Sequence, residues 1–168
     1  MTEELAIARC QAGDRDAFRY LVERYQDVLY GTAYLMTGNR AHAEDHVQEA
    51  LFSAWRGIRG FRRGRPFKPW LLRILVNVVL SYRSRGSGPT RSLLEVDWPA
   101  ESTDPAESPA SRHDWPPAKA ALAGLTAEHR QAVVLRYFAG LTTSEIAQSL
   151  KVTESAVKSR LHHALGNL

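Results

Sequence analysis

From Leu71 to Tyr82 the chain reads Leu-Leu-Arg-Ile-Leu-Val-Asn-Val-Val-Leu-Ser-Tyr. Wound as a helix, this segment is apolar round its whole circumference, so other helices must surround it. Its longest apolar run, Ile74 to Leu80, is broken by Asn77 and falls far short of the ~20 residues that cross a bilayer. Pro69 suits the first turn of such a helix, where a missing N–H leaves no bond unmade. The segment leading into it, Phe61 to Trp70, reads Phe-Arg-Arg-Gly-Arg-Pro-Phe-Lys-Pro-Trp. Arg62, Arg63, Arg65 and Lys68 alternate there with Phe61, Phe67 and Trp70, and Gly64, Pro66 and Pro69 hold the backbone in a loop. Cations for phosphates beside flat rings for unstacked bases are what single-stranded nucleic acid requires. The two features together predict a nucleic-acid loop mounted on the core of a helical domain.

Charge is unevenly placed along the 168 residues. Residues 1–88 carry 14 basic and 9 acidic side chains, residues 89–117 carry 2 and 6, and residues 118–168 carry 6 and 3. Between Ala50 and Leu94 stand ten basic residues and no acidic one. A solvated face normally mixes signs, so this distribution points to a polyanionic partner. The single Cys10 has no partner for an internal disulfide, and Glu3 and Glu4 stand where a signal peptide would be basic. Both fit a cytoplasmic protein with no membrane insertion.

Taken in order, Glu3 to Ala12 predicts a short helix closed at Gly13, and Asp14 caps a second one carrying Phe18, Leu21, Val22, Tyr25, Val28 and Leu29 at helical spacing. Gly38-Asn39 ends it. A third helix, from about Ala41 to Arg56, has Val47, Ala50, Leu51 and Ala54 as its inner stripe; Glu44, Asp45, Gln48, Glu49 and Phe52 occupy the opposite face. An exposed Phe among acids and amides suits a partner surface, and an ordinary solvated face explains the same residues equally well. After the buried helix, Pro89 to Pro117 mixes six prolines with Ser, Ala and acids and keeps no helical period. A stretch of that length and composition reads as a linker between domains. Its Leu93, Leu94, Trp98 and Trp115 either dock elsewhere or pack on the flanking domains.

Beyond the linker, Leu125, Val133, Val134, Leu135, Tyr137 and Phe138 mark another amphipathic helix, with Thr126 as cap and Gly140 as stop. Thr142 and Glu145 then form a capping box. Ile146, Ala147 and Leu150 face inward, Lys151-Val152 turn the chain, and Thr153 caps a second helix with Ala156, Val157, Leu161 and Leu165 inside. Two short helices joined by a tight turn, the second basic outside, predict a helix-turn-helix. Its second helix would enter the major groove. Glu154, Ser155, Lys158 and Ser159 would lie at base edges or nearby phosphates, with Arg160, His162 and His163 further along the backbone. No catalytic constellation assembles, so no enzyme and no cofactor are expected. His42 and His46 have i, i+4 spacing but neither the H-E-x-x-H order nor a third ligand, and read as two histidines on a surface helix rather than a metal site.

This order of parts resembles the extracytoplasmic-function (ECF, group 4) sigma factors of bacterial RNA polymerase over essentially the whole length outside the linker. Ala43 to Trp55 looks like the family's polymerase-binding helix, Phe61 to Asn77 like the segment that opens and reads the −10 element, and Leu141 to Leu165 like the region that reads the −35 element. The resemblance implies an all-α fold of two small helical domains, region 2 (1–88) and a region 4 helix-turn-helix (118–168), joined by a flexible acidic Pro-rich linker (89–117). It implies that Asp45, Gln48, Glu49, Phe52 and Trp55 dock on the beta-prime clamp of core RNA polymerase, with region 4 near the beta flap. Phe61, Arg62, Arg63, Arg65, Phe67, Lys68, Trp70, Arg73 and Asn77 would then meet single-stranded −10 DNA. Thr153, Glu154, Ser155, Lys158, Ser159, Arg160 and His162 would meet double-stranded −35 DNA, and an anti-sigma factor would hold the protein inactive. Stacking one base on a ring is worth ~1–3 kcal/mol and unstacking it costs a few kcal/mol, so the cations are needed to carry melting forward. Ser81 departs from the family, which commonly has Asp there. The rival reading, a helix-turn-helix regulator without initiation activity, leaves the loop at Phe61 to Trp70 without a role.

Overall fold

The computed structural model describes residues 1–86 and 116–167, and among these the elements are all helical. The linker residues Leu93, Leu94, Trp98 and Trp115 lie outside the described residues. In the first half, α1 spans Glu3–Gln11, α2 Arg15–Thr37, α3 Arg40–Gly57 and α4 Phe67–Gly86, with a 3-10 turn at Ile58–Gly60 after α3. Short polar residues place the boundaries. Thr2 accepts from the Leu5 N–H, Asp14 from those of Asp16 and Ala17, and Asn39 from that of His42, so α1, α2 and α3 each begin with an orphan donor satisfied. Gly38 closes α2 in the left-handed conformation (φ +68) with its N–H on the Tyr34 carbonyl. Asn39 thus opens the third helix instead of ending the second.

The predicted all-round burial of α4 is met from several sides. Leu71, Leu72, Leu75, Val76 and Val79 are buried, Ile74, Val78 and Leu80 half-buried, and α2, α3 and α7 all pack on it. The inner stripe of α3 is mostly small, with Ala43, Ala50 and Ala54 fully buried. Each fully buried Leu or Val on the facing helices contributes about 1.5–3 kcal/mol.

The second half runs α5 (Pro116–Leu122), α6 (Ala127–Val133), a π-helical turn (Val134–Phe138), α7 (Thr143–Leu150) and α8 (Glu154–Gly166). Pro116 and Pro117, the last two residues of the predicted linker, open α5, a position where proline's missing N–H is tolerated. Arg130 of α6 is buried and donates to the Leu122 and Leu125 carbonyls, tying the end of α5 to α6. The helix predicted to run on to Phe138 widens at its end, where the Ala139 N–H reaches the Val134 carbonyl (2.9 Å).

The halves share one core. The π turn, α5 and α6 lie on α2, and α7 lies on α4. The Lys119 ammonium sits 5.6 Å from the centre of the Tyr34 ring, a cation–π contact across the seam. A Cβ on Gly140 would stand 3.7 Å from the Lys68 Nζ, so one of the loop cations lies at this seam.

Candidate nucleic-acid interface

The loop between α3 and α4 is built on rings. Ile58 is buried at the 3-10 turn, which closes with the Phe61 N–H on the Ile58 carbonyl (3.1 Å). Four residues then reverse the chain. The Arg65 N–H meets the Arg62 carbonyl at 3.3 Å, and Gly64 takes φ +85, a conformation that penalises any side chain. Phe61 and Phe67 meet edge to face at 5.3 Å, and Trp70 lies 5.1 Å from Phe61 and 5.3 Å from Phe67. Tyr25 of α2 extends the cluster to Phe67 at 5.7 Å.

This corrects the picture of a loop offering three rings. Phe61 is 7% exposed and Phe67 1%, so both are core residues that anchor the loop; Trp70 is half-buried. The physical reason is proximity: a loop this short starts and ends against the helices it joins, and its rings are drawn into their core. The cations are presented as expected. Arg62, Arg63, Arg65 and Arg73 are exposed, Lys68 and Asn77 half-buried. No carboxylate among the described residues forms an ion pair with Arg62, Arg63, Arg65, Lys68 or Arg73.

On α3, Asp45, Gln48, Glu49 and Phe52 are exposed on one side. Phe52 is 61% exposed and carries the Arg56 guanidinium 5.6 Å above its ring. Trp55 is half-buried and meets Phe18 edge-on at 5.2 Å. His46 overturns the surface-helix reading of the two histidines: it is 4% exposed and packs on the Tyr82 ring at 4.9 Å, with His42 at 5.2 Å from the same ring. Burial first, and then the neighbouring His42, hold its pKa below the ordinary 6.5.

The helix-turn-helix forms as predicted. Thr142 accepts from the Glu145 N–H (3.2 Å) while the Glu145 carboxylate accepts from the Thr142 N–H (2.8 Å). Lys151 turns the chain at φ +56, the Val152 N–H bonds the Ala147 carbonyl, and Thr153 caps α8 through the Ala156 N–H. Ile146, Ala147, Leu150, Val157, Leu161 and Ala164 are buried between the helices. Leu165, predicted inside, is 49% exposed, and Ala164 takes the inner position instead. Thr153, Glu154, Ser155, Lys158, Ser159 and His162 share the open side. Arg160 does not join them fully: it is partly covered and lies 3.7 Å from Glu128 of α6.

One residue that sequence reasoning passed over meets the loop. Gln11, the last residue of α1, donates from Nε2 to the carbonyls of Ile58 (3.0 Å) and Phe61 (2.8 Å), and its Oε1 accepts from the Arg63 Nε (2.7 Å). Nothing in the local sequence signals a contact made across some fifty positions.

A helical body carrying a cationic loop, with no ion pair to a carboxylate among the described residues, and a helix-turn-helix defines a DNA-binding protein, with an open acidic and aromatic helix face as a third surface. The family model for Sigma-70 region 2 matches residues 21–88, and that for Sigma-70, region 4 matches residues 121–168. The chain is 34% identical over 162 residues to the ECF RNA polymerase sigma factor SigL of Mycobacterium tuberculosis, covering 95% of this chain and 90% of that protein. It is 30% identical over 167 residues to SigW of Bacillus subtilis, also an ECF RNA polymerase sigma factor, with 93% and 89% covered. Among solved structures it is similar to the sigma factor RpoE of Bartonella quintana, determined in complex with the anti-sigma factor NepR. There the TM-score is 0.68 at 28% identity, over 89% of this chain and 92% of that one. The chain belongs to the ECF RNA polymerase sigma factors, which direct transcription initiation. Among the described residues no helix is long and apolar enough to cross a membrane.

Proposed function

We propose that this group 4 sigma factor divides its work among three surfaces, within a region 2 domain of residues 1–88, an acidic linker of 89–117 and a region 4 domain of 118–168. Asp45, Gln48, Glu49 and Phe52, with the edge of Trp55, dock on the beta-prime clamp of core polymerase. Arg62, Arg63, Arg65, Lys68 and Arg73 take the phosphates of the displaced −10 strand, with Trp70 as the stacking ring and Asn77 beside it; Phe61 and Phe67 act from beneath by holding the loop rigid. Thr153, Glu154, Ser155, Lys158 and Ser159 read the −35 duplex, and His162 and Arg160 follow its backbone near the beta flap. The carrying observation is the set of exposed arginines at Arg62, Arg63, Arg65 and Arg73, with no ion pair to a carboxylate among the described residues, beside a ring cluster. Such charge is stabilised once a phosphate backbone replaces solvent counterions.

The two promoter elements lie roughly one and a half turns apart, or ~50 Å. Some 29 linker residues reach up to ~95 Å when extended, so the halves can part to span them. The packed arrangement of the halves then suits a resting form, held in the cytoplasm by an anti-sigma factor of the kind bound to the Bartonella relative. Transcription in vitro with bacterial core polymerase and genomic fragments tests the reading. Discrete start sites that appear only with this protein support it and locate both elements; duplex binding without initiation would replace it with a regulator.

A further inference from the structure

We propose that Gln11 is a positioning residue for promoter opening: from α1, ahead of the segment matched by region 2, its carboxamide fixes the start of the cationic loop and aims Arg63 at the −10 strand. This rests on the reading of the loop given above. Three bonds carry it. Nε2 spans the Ile58 and Phe61 carbonyls at the two ends of the 3-10 turn, and Oε1 takes the Arg63 Nε at 2.7 Å. Only a carboxamide can do this. A carboxylate would face two carbonyls without a proton to give, an ammonium would have nothing for Arg63 to donate to, and asparagine is one methylene shorter.

The platform beneath the amide is itself fixed. Just after Gln11 the chain turns at Gly13 (φ +95), the Asp14 N–H returns to the Arg9 carbonyl (3.0 Å), and Arg9 pairs with Asp14 at 2.6 Å. Ile7 and Cys10, on the inner side of α1, are buried. The amide therefore presents a fixed acceptor to a side chain that is otherwise exposed. Because Nε is the nitrogen held, the two terminal nitrogens of Arg63 remain as a fork for a phosphate. An arginine already held in this pose gives up less freedom when the strand arrives, which is how preorganisation raises affinity without adding a contact to DNA.

The test uses full-length protein with core polymerase on a promoter mapped by the transcription assay. The readouts are opening, followed by 2-aminopurine fluorescence in the −10 element, duplex −35 affinity and Tm. Gln11→Met, of similar length but without the polar groups, is expected to lower the opening equilibrium about tenfold, the size of one hydrogen bond to a charged group, with −35 affinity unchanged. Arg63→Ala should lose a similar factor, and the double variant little more than either alone, whereas Arg62→Ala should add its own loss to that of Gln11→Met. Arg63→Lys keeps the charge but not the Nε donor and should fall with Gln11→Met, a measurement that stands even if the Gln11 variants fold poorly. Wild-type opening by Gln11→Met or by Arg63→Lys, alongside a defective Arg63→Ala, overturns the positioning role and leaves the loop reading intact. Equal losses of opening and −35 binding in Gln11→Met also overturn it, as a merely structural effect. Unchanged opening in Arg62→Ala, Arg63→Ala and Arg65→Ala together removes the loop reading itself.

Discussion

Lys151 holds the left-handed backbone conformation at φ +56 in the turn between α7 and α8, and its side chain is exposed. A side chain there costs about 1 kcal/mol that glycine avoids. Lys151→Gly should therefore stabilise the chain by about 1 kcal/mol in urea unfolding; a loss would mean that the lysine makes compensating contacts. Phe67 makes the opposite case. It is 1% exposed and touches Tyr25, Phe61 and Trp70. Phe67→Ala should cost about 3–5 kcal/mol. Phe67→Leu should fold and bind single-stranded −10 DNA as the parent does, since the ring supports the loop from below. A drop equivalent to ~1–3 kcal/mol in that affinity would restore Phe67 as a stacking ring.

At the scale of elements, α8 presents Lys158 on its open side. Lys158→Ala should weaken −35 duplex binding almost uniformly across sequences and reduce the slope of log K against log salt by about 1; an unchanged slope would place Lys158 away from phosphates. On α3, His46 is pressed between the helix and Tyr82. Its pKa is lowered from 6.5 by burial and by His42, against opposing pulls from Glu49 and Asp45. The unfolded chain takes up that proton as pH falls through about 6.5 while the folded chain still refuses it, so stability is full above 6.5 and declines below it. Tm should fall between pH 7 and pH 5, and His46→Gln should flatten part of that fall; an equal slope in both proteins would remove His46 as the cause. The caps and periods of these helices were legible in sequence because each is decided within four residues. The burial of His46 was not, because it depends on Tyr82 arriving from α4.

At the scale of the whole molecule, α1 to α8 close on one core, and Cys10 reports on it. Its thiol is 1% exposed, and burial, then the Asp14 carboxylate, push its pKa up to about 11. A protonated, covered thiol is inert. Native protein should resist iodoacetamide at pH 8, and where α1 redocks faster than the reagent reacts, the labelling rate relative to that of the unfolded chain measures the free energy of opening. Rapid labelling of native protein would show that α1, and Gln11 with it, leaves the loop readily.

What the amino-acid order determined by itself was local or cumulative: helices from caps and spacing, the helix-turn-helix from two short capped segments, the cationic stretch from ten basic residues without an acid between Ala50 and Leu94. The apolar circumference of Leu71 to Leu80 also required covering helices, without saying which. Tertiary structure decided the rest. It supplied α7 as one of those covers, drew Phe61 and Phe67 inward while leaving Trp70 half-buried, and set the Gln11 amide against Ile58, Phe61 and Arg63. A ring or an amide has the same composition exposed or buried; only the elements that close around it, from far along the chain, settle which it becomes.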